Sequence, residues 1–189
     1  LTDRKYDVIT SEPSNPWMAG IANLYSLDFM RTLRDHLNPG GVFVQWIHSY
    51  QIDWESFSMV GRTIASVFPN SFLFKTSTSG SDYLIVSFSD NSAALDRSAL
   101  RSNLTYAARS GNMRMTTSDV LYPLIIADNL PEIFRLTSLH TDNNPYLEYI
   151  SPRQLYKGSV DIGAELMMRR TRSDATTAAS TRSDAGTSI

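Results

Sequence analysis

Short apolar runs and helical repeats alternate along the first half of the chain. The run YDVITS (Tyr6–Ser11) is apolar and β-branched, which predicts a strand buried on both faces of a sheet. Apolar residues then recur at helical spacing from Leu24 to Leu37, and NPGG (Asn38–Gly41) predicts the end of that helix because glycine readily adopts positive φ. The sequence VFVQWIHS (Val42–Ser49) predicts a second strand.

The same alternation continues to about residue 89. Asp53 is a predicted N-cap, and the amphipathic helix that it begins is expected to end at Phe68, before a proline. Phe72–Lys75 and Tyr83–Phe88 predict two further strands joined by a short polar turn. This order favours an α/β fold with a mostly parallel sheet, helices on both faces and an antiparallel hairpin at one edge.

The second half of the chain has weaker patterns. Leu95–Ala108 and Ser118–Leu139 have the spacing of helices, and NPYLEYISP (Asn144–Pro152) predicts a short closing strand. Residues Arg169–Ile189 are mainly Thr, Ser, Ala, Asp and Arg, repeat TRSDA twice and have no apolar periodicity, which predicts a disordered tail. We therefore expect one domain over residues 1–168, followed by a tail over residues 169–189.

Composition excludes several classes of protein. The chain has 189 residues, a formal net charge of −2 and no run of Lys and Arg, so a nucleic-acid partner is not expected. It has no cysteine, which excludes disulfides, thiol nucleophiles and thiolate metal sites and agrees with a cytoplasmic protein. No segment approaches the roughly 20 apolar residues of a membrane-spanning helix.

Candidate chemistry is concentrated in the loop after the first predicted strand. Ligands of open α/β sheets bind beyond the carboxyl ends of the strands, so Glu12 is expected at the binding rim. A carboxylate there can accept a proton or hold a cation, Asn15 can orient a polar group, and Trp17 can stack on a flat or cationic ligand. The alternative from the residues alone is a rigid loop in which Glu12 is a solvated surface acid and Trp17 packs on the next helix.

The residues of this loop and its flanks carry a family resemblance. YDVITSEPSNPWMAGIANLYSLDFMRTLRDHLNPGGVFVQW resembles the second half of the spermidine synthase family. It is most similar to the spermidine synthase-like domains that are fused to membrane transporter segments in bacteria. HTDNNPYLEYISPR (His140–Arg153) is similar to the closing segment of those fused proteins. The resemblance covers Lys5–Ser89 and then His140–Arg153.

This resemblance implies the C-terminal part of a Rossmann-like, S-adenosylmethionine-dependent methyltransferase fold, with aminopropyltransferase activity. In that reaction a polyamine attacks the methylene beside the sulfonium of decarboxylated S-adenosylmethionine, which is a co-substrate and not a tightly bound cofactor. The amine is an ammonium at neutral pH, so a carboxylate must bind it and help to remove a proton. Matched by motif, Glu12 takes the position of the catalytic aspartate. The residues expected to bind substrate are Ser14, Asn15, Trp17 and Gln45.

The sequence departs from a plain spermidine synthase at several points. Glu12 is one methylene longer than aspartate, Asn15 replaces a second aspartate, and a Tyr-Pro-Ser-Gly turn is reduced to STSG (Ser77–Gly80). No Gly-rich loop follows a strand in the sequence, so the residues that would bind the co-substrate are unknown. Because the chain starts at Leu1, near the family's fourth strand, we expect part of a longer protein. By itself it should be inactive and should associate along the edge of Tyr6–Ser11.

Two other functions stay open beside aminopropyl transfer. One is a methyltransferase that uses intact S-adenosylmethionine on the same fold. The other is a non-catalytic polyamine-sensing domain attached to a transporter, which would tether the protein to a membrane. The histidines His36, His48 and His140 lack metal-ligand spacing, so no metal is expected. His48 ends a predicted strand at the same rim as Glu12 and is a further candidate for the site.

Overall fold

The chain forms a mixed α/β structure around a five-stranded sheet. The structure is a computed structural model and describes residues 3–16, 18, 20–76, 80–90, 97–110, 125–154 and 160–168. Its strands are β1 (Tyr6–Ser11), β2 (Leu37–His48), β3 (Ser71–Lys75), β4 (Asp82–Phe88) and β5 (Ile125–Ala127). Its helices are α1 (Leu27–Asp35), α2 (Trp54–Val67), α3 (Arg97–Arg109), α4 (Leu130–Ile133), α5 (Tyr146–Ile150) and α6 (162–168), with 3₁₀ turns at Ala22–Tyr25 and Ser151–Gln154. None of the described helices has the length and apolar character needed to cross a lipid bilayer.

The strands lie in the order β1-β2-β4-β3-β5. β1 and β2 are parallel, whereas the other three neighbouring pairs are antiparallel. The prediction of a mostly parallel sheet is therefore wrong, and so is the placement of the hairpin at an edge. A short connection forces β3 and β4 to pair antiparallel. β4 also pairs with β2 from Val42–Phe88 to His48–Asp82, so the hairpin forms the middle of the sheet.

Helices α1 and α2 contact each other on one face of the sheet, not on opposite faces as the alternating pattern predicted. The strand residues that point to this face are buried in the core: Phe43, Ile47, Leu73, Tyr83 and Ile85. Their neighbours in sequence point to the second face and are half-buried: Val42, Val44, Phe72, Leu84 and Val86. This alternation is typical of a sheet that is more fully covered on one face than on the other.

The predicted cap of α2 is confirmed. A carboxylate oxygen of Asp53 accepts a hydrogen bond from the backbone N–H of Ser56 at 2.8 Å. Such a cap stabilises a helix by about 1 kcal/mol because it satisfies an N–H that has no partner within the helix. At the other end, the Arg34 guanidinium donates to the Val67 carbonyl at 2.7 Å, which ties α2 to α1.

The first predicted helix is shorter than its apolar spacing suggests. The NPGG segment does not end this helix, because it lies within β2. After a 3₁₀ turn, α1 ends two residues before Leu37, which already begins β2. Between the pairs Tyr6–Leu37 and Val8–Val42, β2 advances five positions while β1 advances two. Gly40 lies in this bulge with φ +76°, a conformation that favours glycine.

The helix predicted over Ser118–Leu139 is wrong in its described part. Ile125–Ala127 forms β5, which pairs with β3, and α4 is a single turn that contains Pro131. Two adjacent isoleucines suit a strand, and proline is tolerated only in the first turn of a helix, so no long helix forms here. Residues 118–124 lie outside the described part of the chain.

The closing strand predicted at Asn144–Pro152 is instead α5 followed by a 3₁₀ turn. Leu147 is fully buried and Ser151, four residues later, is also buried, whereas Tyr149 is exposed. This spacing is helical, and the short apolar segment fits it as well as it fits a strand. The helix predicted at residues 95–108 is confirmed from residue 97 as α3, while residues 95–96 and the predicted tail over residues 169–189 lie outside the described residues.

β1 is an exposed edge strand, so the prediction that it is buried on both faces is wrong. Its only partner among the described strands is β2. Tyr6 and Val8 keep 43% and 60% of their surface exposed, respectively. An exposed apolar edge strand offers unpaired backbone groups to another chain.

We expect this edge to mediate concentration-dependent association. Val8→Lys should reduce association, because a lysine on an edge strand opposes strand pairing. Sedimentation velocity over a range of protein concentrations measures the effect. Leu136→Lys is the matched control, since Leu136 is 81% exposed and lies outside the sheet, and it should leave association unchanged. A native protein that stays monomeric at every concentration contradicts the prediction.

Candidate functional site

The loop after β1 presents polar groups at the carboxyl end of that strand. Glu12 and Ser14 are exposed and Asn15 is half-buried, whereas Pro13 and Pro16 are buried. Buried prolines with a fixed φ hold the loop against the protein while the side chains between them stay accessible. The loop therefore presents a carboxylate, a hydroxyl and an amide at one end of the sheet.

Gln45 fastens the end of β1 to β2. It pairs with Ser11 in the parallel register and is fully buried. Its side-chain amide donates to the Ser11 carbonyl at 3.3 Å and to the Trp46 carbonyl at 2.9 Å. Because Glu12 follows Ser11, these bonds fix the backbone from which the carboxylate projects. The Gln45 Oε1 atom is buried and accepts no hydrogen bond from the described residues.

Three of the five predicted site residues, Glu12, Ser14 and Asn15, line one surface cavity of about 330 Å³. The other residues that line it are Pro13, Met18, Trp46 and Tyr50. Gln45 does not line the cavity; its side chain instead holds the end of β1 by the hydrogen bonds described above. Trp17 lies outside the described residues.

The sequence alone does not identify two aromatic residues of the cavity. Trp46 and Tyr50 both line the cavity with Glu12, and neither residue belongs to a motif that the sequence marks as functional. The pairing of Ser11 with Gln45 places position 46 beside position 12, and only the register carries that information. Side chains alternate along a strand, so Trp46 and His48 point to the same side of β2.

His48 lies behind the aromatic lining and is fully buried. Its Nδ1–H donates to the Tyr50 carbonyl at 2.7 Å. Its ring stacks on the Tyr50 ring, with centroids 3.9 Å apart and planes 18° apart, and lies 5.3 Å from the Trp46 ring. The candidate histidine thus contacts both aromatic residues of the cavity but does not itself line it.

The environment of the cavity keeps the His48 imidazole and the Tyr50 phenol neutral at pH 7. Burial lowers the pKa of His48, against the opposing effects of its bond to Tyr50 and of the Asp82 carboxylate. Burial, and then the same carboxylate, raise the pKa of Tyr50. Asp82 faces His48 across the β2–β4 ladder.

The cavity suits a cation that donates hydrogen bonds. It combines the Glu12 carboxylate with the polar groups of Ser14 and Asn15 and with two aromatic rings, and no Lys or Arg lines it. A carboxylate and aromatic faces both attract an ammonium group, and the carboxylate can accept its proton. The described residues contain no group of three or more His, Cys, Asp or Glu placed to hold a metal ion.

Comparison with known proteins gives low structural similarity. No family model and no curated protein matches the chain. It is 21% identical to a methyltransferase from Pyrococcus furiosus, over 47% of this chain and 43% of that one, with a TM-score of 0.34. It is 16% identical to a probable spermidine synthase from Corynebacterium glutamicum ATCC 13032, over 75% of this chain and 49% of that one, with a TM-score of 0.44. Each of these two matches spans less than half of the solved structure, and likeness at this level assigns neither a family nor an activity to the chain.

Proposed function

We propose that the cavity at Glu12 binds a polyamine and that the protein transfers to it the aminopropyl group of decarboxylated S-adenosylmethionine. The observation that carries this proposal is the convergence of Glu12, Ser14 and Asn15 on one cavity at the carboxyl end of β1. These residues belong to the segment that resembles the spermidine synthase family. Their placement also agrees with the general position of ligands in open α/β sheets.

The proposed reaction needs a carboxylate more than any other protein group. Glu12 binds the substrate ammonium and accepts a proton from it, which frees the nitrogen lone pair. The nitrogen then forms a bond to the methylene beside the sulfonium, and the carbon–sulfur bond breaks. Its electron pair stays on sulfur, so neutral methylthioadenosine leaves. Asn15 and Ser14 orient the amine by hydrogen bonds.

Glu12→Gln is expected to reduce turnover at least about hundredfold, because general-base catalysis commonly contributes that factor. The full natural protein is incubated with decarboxylated S-adenosylmethionine and 1,4-diaminobutane, and methylthioadenosine is measured by mass spectrometry. Glu132→Gln is the matched control, since Glu132 is an exposed carboxylate on α4 that pairs with Arg135, which lies after the helix, and its loss should leave turnover unchanged. Equal turnover in native protein and Glu12→Gln would overturn the role of Glu12.

A second candidate function is polyamine binding without turnover. One observation favours it: Glu12 is the only carboxylate among the described residues that line the cavity, and Asn15 stands where the family has a second aspartate. Diamine binding by calorimetry without methylthioadenosine release identifies this function. Release of S-adenosylhomocysteine from intact S-adenosylmethionine identifies a methyltransferase instead. A native protein that neither binds the diamine nor forms either product contradicts every function proposed for the cavity.

A further inference from the structure

We infer that Tyr50 contacts the substrate cation and that Tyr50 and Trp46 form an aromatic wall that selects an ammonium group over a neutral group of the same size. This inference rests on the proposed function and adds a specificity-determining residue to the same site. Tyr50 lies in the connection between β2 and α2, and it lines the cavity together with Glu12. An ammonium bound there has a carboxylate and aromatic faces as its neighbours.

The backbone beside Tyr50 is in an uncommon conformation. Gln51 has φ +52°, and it is the only non-glycine residue with positive φ among the described residues. Side chains other than glycine disfavour this region, so it persists only where surrounding contacts determine the conformation. Residues in such conformations cluster at ligand sites. Here the conformation follows directly after a cavity residue at the end of a strand.

His48 supplies the contacts that hold Tyr50 in place. The hydrogen bond from His48 Nδ1 fixes the Tyr50 carbonyl at 2.7 Å, and the stacked imidazole at 3.9 Å fixes the Tyr50 ring. The same imidazole lies 5.3 Å from the ring of Trp46. His48 is fully buried and contacts both rings of the wall, so we place it as a positioning residue.

The charges around the wall favour a cation over an anion. Glu12 lines the cavity, and Asp82 lies close enough to act electrostatically on both Tyr50 and His48. No Lys or Arg is among the described residues of the lining. Phosphate and carboxylate ligands would therefore meet negative charge, whereas an ammonium group gains from the carboxylates and from the negative faces of the rings.

The test uses a cation that cannot donate a hydrogen bond, so that the wall is measured separately from the hydrogen bonds of Glu12. The full natural protein is titrated with tetramethylammonium and with tert-butanol, a neutral molecule of similar size, and the methyl resonances are followed by saturation-transfer NMR. We expect native protein to bind tetramethylammonium in preference to tert-butanol. Tyr50→Leu should weaken tetramethylammonium binding about fivefold or more and leave tert-butanol binding unchanged.

Three further variants separate ring contact from structural support. Tyr50→Phe keeps the ring and should retain most of the preference for tetramethylammonium. Trp46→Leu should reduce the preference as Tyr50→Leu does, which provides a second measurement if Tyr50→Leu fails to fold. His48→Leu should lower the preference while Tyr50 is still present. Circular dichroism of each variant reports whether it is folded.

The outcomes separate this inference from the proposed function. If Tyr50→Leu and Trp46→Leu are folded and keep the native preference, the inference is wrong, and methylthioadenosine release that depends on Glu12 would leave the proposed function in place. If native protein prefers tetramethylammonium through Tyr50 but releases no methylthioadenosine, the inference stands and transfer fails. If native protein shows no preference between the two probes, the aromatic wall does not select cations.

Discussion

Gly61→Ala is expected to lower the free energy of unfolding by about 2 kcal/mol. Gly61 lies within α2, and a Cβ at this position would lie 2.4 Å from Cε2 and 2.6 Å from Cδ2 of Phe134. Carbon atoms do not approach so closely, so the ring or the helix must move. Overpacking of a core costs about 1–3 kcal/mol, which exceeds the gain of up to about 1 kcal/mol that alanine brings to a helix interior.

The Phe134 ring has little freedom to relieve this overlap. It is fully buried, and its centroid lies 5.8 Å from that of Trp54 and 6.4 Å from that of Phe57. Both of these aromatic residues belong to α2, so a shift of the ring displaces side chains of the helix that carries the substitution. Close packing transmits the strain instead of absorbing it.

Urea unfolding measures the change, and two further variants test its cause. Gly163→Ala is the matched control, because a Cβ there meets nothing closer than the Asp161 carboxylate at 3.3 Å and the helix gains from alanine. Phe134→Leu should by itself lower the free energy of unfolding. In that variant, however, Gly61→Ala should lower it by less than it does in the native protein. Additive effects of Gly61→Ala and Phe134→Leu would mean that the overlap is not the cause of the loss.

The sequence predicted elements whose signals are local. Asp53 caps α2 because its side chain and the Ser56 N–H are three residues apart, and that spacing is visible in the sequence. The strands β3 and β4 follow from short apolar runs, and their antiparallel pairing follows from the short turn between them. Each of these predictions needs no knowledge of another part of the chain.

The sequence could not predict the order of the strands, because pairing partners are chosen over long distances. The insertion of β4 beside β2 depends on contacts between residues that are far apart in the sequence, such as Val42 and Phe88. The exposure of β1 also follows from that order, since a β-branched run suits an edge strand as well as a central one. The segment around Leu147 was ambiguous because five apolar and polar residues fit a helix turn and a strand equally well.

Among the residues that line the candidate cavity, the sequence could identify those that are neighbours in the chain, but not those that come together only by folding. Glu12, Ser14 and Asn15 lie in one loop, and the structure brings them to one cavity. Trp46 and Tyr50 reach the same cavity only through the register of β1 on β2, and the bulge at Gly40 shifts that register by three residues. No local pattern encodes this shift.

Lowering the pH from 7 to 5 is expected to reduce the free energy of unfolding, and His140→Gln is expected to make this dependence shallower. His140 is fully buried. Its Nε2 donates to the Ala22 carbonyl at 2.9 Å, so Nδ1 carries no proton and accepts the Leu147 N–H at 3.5 Å. Protonation of Nδ1 removes this acceptor and places a charge in the core.

The direction of the pH effect follows from the pKa. Burial lowers the pKa of His140, against the opposing effects of its bond to Ala22 and of the Asp142 and Glu148 carboxylates. In the unfolded chain the His140 imidazole has a pKa of about 6.5. Between that value and the lower pKa of the folded protein, the unfolded chain therefore binds more protons than the folded protein does. Stability is therefore fully present above about pH 6.5 and declines below it, by at most about 1.4 kcal/mol per pH unit for one proton. His48, whose pKa is also lowered, adds to the decline.

Urea unfolding at pH 5, 6, 7 and 8 measures this dependence, and Thr63→Val provides its matched control. The Thr63 hydroxyl accepts a hydrogen bond from the His140 backbone N–H at 3.0 Å. Thr63→Val removes this bond, so it weakens the contacts of His140 but keeps the imidazole that titrates. Thr63→Val should lower stability by a similar amount at every pH, whereas His140→Gln should change the slope. If His140→Gln keeps the native slope, the imidazole must take up its proton as readily in the folded protein as in the unfolded chain. The hydrogen bonds by which His140 links Ala22 to Leu147 would then not depend on a neutral imidazole.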